Sequence, residues 1–143
     1  MKQFMTFIVA FLLTIPMISN AKAESNQAFS DLKGNSAAEA ILYLHDKHII
    51  SGYPDGTFRP NEPITRAQAA AMLLKALDIE VIENPTVQFK DVTPKSNYYS
   101  ILATINEKGI IRGENGYMRP GETTSRAQMA AILRRAFDMP LDS

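Results

Sequence analysis

The sequence predicts an all-α protein made of two copies of one helix–loop–helix unit, packed together as a small helical bundle. Three observations support this fold class: a duplicated segment, an apolar stripe of helical period in each copy, and a capping signal before each second helix. The chain has 143 residues, a length that suits one or two small domains. A single unit of about 50 residues buries too little surface to be stable alone, so we expect the two units to pack on each other.

The duplication is clearest in residues 65–78 and 125–138, where 8 of 14 positions are identical at an offset of 60. Shorter matches continue upstream in the same order, so each copy begins near a Phe-x-Asp motif. This alignment predicts a first repeat over residues 24–78, a linker over residues 79–88 that contains an Asn-Pro pair, and a second repeat over residues 89–143.

The first helix of each repeat is predicted from apolar residues spaced i, i+3, i+4 and i+7, which lie on one helical face. Gly109 should end this helix in the second repeat, because glycine readily takes positive φ. His48 stands at the same place in the first repeat, and histidine tolerates positive φ at some cost. The stripe residues are Ala37, Ala40, Ile41 and Leu44, and then Tyr98, Ile101, Leu102 and Ile105.

The second helix of each repeat has a marked start. Thr65 with Gln68, and Ser125 with Gln128, fit the capping box, in which a hydroxyl and an amide side chain satisfy backbone N–H groups reciprocally. A Pro-Asp-Gly turn or an Asn-Gly turn, then an Arg-Pro pair, precedes each start and keeps the helix from beginning earlier. The residues expected on the buried side are Leu73 and Leu77, with Leu133 and Phe137 as their equivalents.

The N-terminal segment has the features of a secretory signal peptide, which we place at residues 1–23. Lys2 is followed by an apolar run over residues 4–18 and by the small-residue site Ala21-Lys22-Ala23. The alternative is a membrane anchor, but the run is shorter than the roughly 20 residues that a spanning helix needs. We therefore expect a secreted protein at the cell surface or wall of a bacterium, with no membrane contact after cleavage.

Charge and composition exclude several classes of function. Residues 24–143 have a formal charge of −2, so nothing indicates the positive field of a nucleic-acid binder. There is no cysteine, which excludes disulfides and thiolate metal sites. His45 and His48 lack obvious further ligands, so we predict no metal and no cofactor. Nucleophile motifs and phosphate loops are also absent. Sequence alone leaves paired carboxylates open, but we predict that the chain is not an enzyme.

The repeated motifs resemble those of the S-layer homology (SLH) family. The first repeat has Phe29 and Asp31, Ile49-Ile50-Ser51-Gly52, Asp55-Gly56-Thr57-Phe58-Arg59-Pro60 and Ile64-Thr65-Arg66-Ala67-Gln68. The second has Phe89 and Asp91, Gly109-Ile110-Ile111-Arg112-Gly113, Gly116, Arg119-Pro120 and Ser125-Arg126-Ala127-Gln128. The chain departs from the family pattern in its two Gln residues where Glu is commoner, in His48, and in showing two copies where three are usual.

The resemblance implies a non-covalent wall anchor. Modules of this family attach proteins to secondary cell-wall polymers, often pyruvylated polysaccharides bound to peptidoglycan, in grooves between neighbouring repeats. It implies that the arginine of the repeated Thr-Arg-Ala motif, here Arg66 and Arg126, reads the anionic sugar. The partners we expect are such a polysaccharide and, as further possibilities, a second copy or other SLH proteins. The alternative is a secreted protein–protein adaptor that uses this fold without binding glycan.

Arg66 and Arg126 are also the sharpest candidates on chemical grounds. Each stands at the first position of a helix, where the dipole disfavours a cation by roughly 0.3–1 kcal/mol. The functional interpretation is that guanidinium and free helix N–H groups converge on a carboxylate. The structural interpretation is that the arginines spread over the surface or pair with Glu62 and Glu122. Arg59 and Arg119 are weaker ligand-binding candidates, because packing of the alkyl stem over an aromatic ring such as Phe58 would explain them equally well. Gly52, Asp55 and Gly113 are expected to form turns first, and ligand contact is their secondary role.

Overall fold

The computed structural model describes residues 28–139, so the predicted signal peptide and its cleavage site lie outside the described residues. This part of the chain contains four α-helices and no β-strand, which confirms the all-α fold class. None of these helices is long and apolar enough to cross a membrane. The helices are α1 (Ala38–Asp46), α2 (Arg66–Ala76), α3 (Tyr99–Glu107) and α4 (Arg126–Ala136).

The main contact between the repeats joins α2 of the first to α3 of the second. The larger apolar core therefore spans the repeats, and α2 contributes Leu73 and Leu74 to the same cluster as Leu102 and Ile105 of α3. A smaller cluster under α1 is built around Phe29, Leu32, Ile41 and Ile50. Because α2 is buried mainly by the other repeat, the first repeat depends on the second for much of its apolar burial.

The Asp of each Phe-x-Asp motif clamps the extended segment before the second helix. The Asp31 carboxylate accepts the backbone N–H groups of Phe58 and Arg59 at 2.9 and 2.7 Å. Asp91 accepts those of Met118 and Arg119 at 2.9 and 2.6 Å. Two N–H groups meeting one carboxylate explain why this motif recurs at a fixed distance from the turn.

The predicted helix ends are present. Both capping boxes form: in each, the Thr or Ser hydroxyl accepts the backbone N–H of the Gln, and the Gln side chain accepts the backbone N–H of the Thr or Ser. His48 and Gly109 have φ of 57° and 68°, so histidine does substitute for glycine at the end of α1. Arg59 and Arg119 also take positive φ, at 61° and 53°. The clamping carboxylate, which binds their N–H groups, offsets the cost of this unusual backbone conformation.

Several residues expected to be buried are exposed. Ala37 and Ala40 are exposed, and so is Tyr98, while its neighbour Tyr99 enters the core. In α4, Leu133 is 36% and Phe137 57% exposed, although the equivalent Leu73 is buried. The physical reason is the packing partner: the face of α2 lies on α3, whereas no other element between residues 28 and 139 covers the same face of α4.

The predicted linker is held against the second repeat. The buried Thr104 hydroxyl accepts the backbone N–H of Ile82 at 2.9 Å and donates to the carbonyl of Ser100. The Tyr99 hydroxyl lies within hydrogen-bond distance of the carbonyls of Pro85 and Val87. Residues 79–88 thus have defined tertiary contacts, which orient α2 relative to α3.

Candidate functional site

Arg66 lies at the contact between the repeats. Its Nε donates to the carbonyl of Met118 at 2.9 Å, and one terminal nitrogen donates to the carbonyl of Arg112 at 3.1 Å. The side chain is therefore neither spread over the surface nor paired with a carboxylate. These two charge-assisted bonds compensate for placing a cation at a helix start. The second terminal nitrogen has no hydrogen-bond partner among residues 28–139.

The backbone N–H groups at the start of α2 are already occupied. Those of Arg66 and Ala67 donate to the carbonyls of Glu122 and Pro120 at 2.9 and 3.1 Å. The expectation that free helix N–H groups help to hold a ligand is therefore wrong at this helix. Docking of the second repeat satisfies them instead, so a ligand here would be held by side chains.

A groove of about 320 Å³ opens beside Arg66. One wall is α4, and the other is the loop and turn that follow α3, with Tyr117 and Glu114 on the loop. Arg66 closes the groove from the first repeat, so both repeats build it. Its charged lining residues are Arg66, Arg112, Arg119, Arg135, Glu114 and Glu122.

The groove carries an excess of positive charge, with four arginines against two glutamates. Arg119 lies 3.3 Å from the Glu114 carboxylate and 3.9 Å from that of Glu122, so these three side chains pair with one another and together leave one negative charge against the other three arginines. Burial, and then the charges of Arg112, Arg134 and Arg66, lower the pKa of Arg135. The positive charges of Arg112, Arg66 and Arg135 therefore lie close enough to act on one another.

Arg126 has a different environment. Its side chain is exposed and makes no hydrogen bond or ion pair with residues 28–139. It does not line the groove beside Arg66. The duplicated motif therefore places its two arginines in unequal surroundings, one between repeats and one on an open helix end.

Arg59 and Asp55 form a local cluster in the first repeat, away from the groove. The Arg59 guanidinium pairs with Asp55 at 3.0 Å and lies 4.0 Å from the Tyr53 ring centroid. It also lies 3.7 Å from Glu62. Arg59 is thus paired with carboxylates of its own repeat, as Arg119 is in the second, and these contacts favour a structural role for Arg59 and Asp55.

Gly52 and Gly113 are required by close packing. A Cβ on Gly52 would overlap the Phe29 ring and lie 2.6 Å from the carbonyl oxygen of Thr57. A Cβ on Gly113 would lie 2.9 Å from both the Met118 sulfur and the Tyr117 carbonyl oxygen. These glycines let the loop approach the extended segment, and neither lines the groove.

We expect stability to fall in acid through the first-repeat cluster. Hydrogen bonds from the Thr57 side chain and then from Arg59 lower the pKa of Asp55 from 3.8 to about 2. The pKa of Asp31 is also lowered, chiefly by the Phe58 N–H. The folded state then binds fewer protons than the unfolded chain, so this stability is complete above pH 3.8 and is lost toward pH 2.

Urea unfolding between pH 5 and pH 2.5 measures this effect. Asp55→Asn should flatten the pH dependence, and Glu83→Gln, a change at an exposed linker carboxylate, should leave it as in the parent chain. An equally steep profile in Asp55→Asn would contradict the assignment.

Sequence reasoning missed Arg112 and Arg135, which supply half of the arginines in the groove. The available signal was a difference between the repeats: Arg112 stands where the first repeat has Ser51. Arg135 aligns with Lys75, so both repeats have a cation at this position and the sequence gives no sign that Arg135 lines a groove. Both side chains are oriented by backbone carbonyls, with Nε bonds to Gly109 and Ile110 at 3.1 and 2.8 Å.

Comparison with known proteins decides the family. The S-layer homology domain model matches residues 28–70 and 88–130. The chain belongs to the S-layer homology family. The first matched stretch contains α1 and the start of α2, and the second contains α3 and the start of α4, so each match falls on one of the two helix pairs.

Relatives of this SLH chain are much longer proteins. It is 34% identical to S-layer protein EA1 of Bacillus anthracis over 92% of this chain and 16% of that protein. It is 34% identical to the cellulosome-anchoring protein of Acetivibrio thermocellus over 84% of this chain and 28% of that one. An amylopullulanase of Thermoanaerobacterium thermosulfurigenes is 34% identical over 83% of this chain, which is 6% of the enzyme. The SLH chain thus spans less than a third of each relative.

The described residues offer no obvious metal centre. Between residues 28 and 139, no group of three or more His, Cys, Asp or Glu side chains is placed to hold an ion. The groove is instead rich in guanidinium groups, which bind anions and not cations.

Proposed function

We propose that this chain is a non-catalytic anchor of the bacterial cell surface that binds an anionic secondary cell-wall polysaccharide. The observation that carries the proposal is the groove between the repeats, where Arg66, Arg112 and Arg135 outnumber the carboxylates left unpaired. Relatives named as S-layer and cellulosome-anchoring proteins support a surface role. The predicted signal peptide at residues 1–23 supports export.

The sugar acid that this groove fits is a compact carboxylate such as a pyruvyl ketal. Guanidinium groups bind planar carboxylates through paired N–H donors, and the free terminal nitrogen of Arg66 supplies one donor. Tyr117, 42% exposed at the groove wall, offers an aromatic face to a sugar ring. Net charge does not attract the polymer to the whole protein, so binding depends on this local cluster.

Retention on purified wall sacculi tests the proposal. The chain should sediment with native sacculi and should be released when the polymer's pyruvate is removed. Protein that fails to bind native sacculi, or that binds equally well after pyruvate removal, would contradict recognition of a pyruvylated polymer. The protein–protein adaptor hypothesis predicts no retention in either case.

Matched charge removals within α4 locate the site. Arg135→Gln should weaken retention by about tenfold, because one charge-assisted contact is worth about 1.5–3 kcal/mol. Arg134→Gln removes the same charge one residue away from the groove lining and should change retention less than twofold. Circular dichroism of both variants checks that α4 is intact. Equal losses in the two variants would indicate non-specific attraction.

A further inference from the structure

The contact between the repeats is head to tail, since it joins unlike surfaces of the two units. The start of α2 in the first repeat docks on the turn of the second repeat, with an antiparallel bridge between Thr65 and Thr123. The Arg66 N–H donates to the carbonyl of Glu122, and the Thr124 N–H donates to that of Ile64 at 3.3 Å. A contact of this kind can be repeated by further copies of the same unit.

The duplication leaves one complementary half of this contact open on each repeat. On the second repeat, the backbone N–H groups of Arg126 and Ala127 at the start of α4 have no acceptor among residues 28–139. On the first repeat, the carbonyls of Pro60 and Glu62, equivalent to those of Pro120 and Glu122, accept no hydrogen bond from this part of the chain.

The hydrogen-bonding groups of the internal contact have equivalents on the two open surfaces. Arg126 is the equivalent of Arg66, whose guanidinium donates to the carbonyls of Met118 and Arg112. The equivalent acceptors on the first repeat of another copy are the carbonyls of Phe58 and Ser51. The bridge partner equivalent to Thr123 is Pro63, which has no N–H. None is needed, because the observed bridge is bonded only through the residues on either side of Thr65 and Thr123.

The apolar surfaces agree with this match. In α2, Ala67, Ala70 and Leu73 are buried by the second repeat, whereas the equivalent Ala127, Ala130 and Leu133 of α4 are exposed. On the receiving side, Ile101 of α3 packs against the core that α2 shares, whereas its α1 equivalent Ala40 is exposed. The internal contact covers the face of α2 and the face of α3, and it leaves the equivalent faces of α4 and α1 exposed.

We infer that copies of this chain associate head to tail, with the α4 start of one copy docked on the first-repeat turn of the next. The new contact repeats the one inside the chain, and it places Arg126 between two repeats as Arg66 is placed now. A head-to-tail contact gives a closed ring where the rotation allows closure and a chain of copies where it does not. This inference stands on backbone geometry and does not rest on the proposed glycan binding.

Disulfide formation between introduced cysteines tests the contact. The chain has no native cysteine, so no other thiol can compete for the disulfide. Directly opposed residues at such a bridge lie about 4.5 Å apart between Cα atoms, within reach of a disulfide. A mixture of Pro63→Cys and Ser125→Cys chains should form a mixed disulfide dimer under mild oxidation, and neither variant should do so alone. Thr65→Cys combined with Thr123→Cys is the matched control and should close within one chain.

Two outcomes of the cysteine test would overturn the inference. One is a closed control disulfide with no mixed dimer, and the other is an equal yield of dimer from either variant alone.

Sedimentation of the parent chain, in which both helix caps are unaltered, gives an independent test. The mass should rise with protein concentration, and Arg126→Ala should weaken association by about thirtyfold or more, as expected from loss of two charge-assisted hydrogen bonds. Lys95→Ala, a change at an exposed site far along the chain from both surfaces, is the control and should associate like the parent. A mass that stays at one copy at all concentrations would refute the inference.

Discussion

Asp91→Ala is expected to lower the free energy of unfolding by about 2–4 kcal/mol, a large part of the stability of a small domain. The carboxylate accepts two backbone N–H groups, and one of them belongs to Met118, which is fully buried. Without its acceptor that N–H is left unpaired away from water. The Met118 carbonyl also receives Arg66, so the loss extends to the contact between the repeats.

Two variants separate this effect from a general sensitivity to charge removal. Asp91→Asn keeps one acceptor oxygen and should lose about half as much stability. Asp31→Ala removes the equivalent clamp, but Phe58 is only half-buried and its carbonyl supports no inter-repeat bond within residues 28–139, so its loss should be smaller. Urea unfolding at neutral pH measures all three. Equal losses in Asp31→Ala and Asp91→Ala would contradict the link to the inter-repeat contact.

Arg66→Ala should destabilise the dilute protein by about 2–4 kcal/mol, because two charge-assisted bonds between the repeats are lost. Arg126→Ala should change stability by less than about 0.5 kcal/mol under the same conditions. The direction of this small change should be stabilising, since a cation at a helix start opposes the dipole. The two variants delete the same side chain from the same motif, so their difference measures the tertiary surroundings alone.

Thermal and urea unfolding at low micromolar concentration provide the comparison. Adding a short anionic glycan should raise the melting temperature of the parent chain more than that of Arg135→Gln, since ligand binding to the folded state stabilises it. Similar destabilisation by Arg66→Ala and Arg126→Ala would show that Arg66 contributes nothing through its carbonyl partners.

The proposed function and the inferred self-association use the two arginines of the repeated motif in related ways. Each arginine would lie between two repeats, but only the contact around Arg66 exists inside one chain. Wall retention measured in dilute protein therefore reports mainly on the groove beside Arg66. A gain in retention that requires higher protein concentration and Arg126 would indicate that a second groove forms on association.

Much of the local structure followed from sequence because it depends on neighbouring residues. The capping boxes at Thr65 and Ser125 and the positive φ of His48 and Gly109 are set within one or two turns of chain. The Phe-x-Asp motif was recognised by resemblance, but its clamp on residues 27 and 28 positions away was not predicted. A carboxylate's distant backbone partners leave no periodic trace in the sequence.

The candidate site was only partly predictable for the same reason. Arg66 and Arg119 do lie in the groove, whereas Arg59, Asp55, Gly52 and Gly113 do not. Arg112 and Arg135 were not singled out, because each cation is ordinary in its own segment. Arg112 lies on the loop after α3 and Arg135 on α4, so the two line one groove only when these elements pack together.

By itself the sequence determined the duplication, the all-α class, the helix starts and the family, since these depend on composition and short-range spacing. Tertiary structure alone decided which copy of each repeated feature is buried. Leu73 is covered and Leu133 is not, and Arg66 is held between repeats while Arg126 is open. The physical reason is that a repeated sequence specifies similar surfaces, but only the contact partner of each surface determines its burial, its hydrogen bonds and its charge environment.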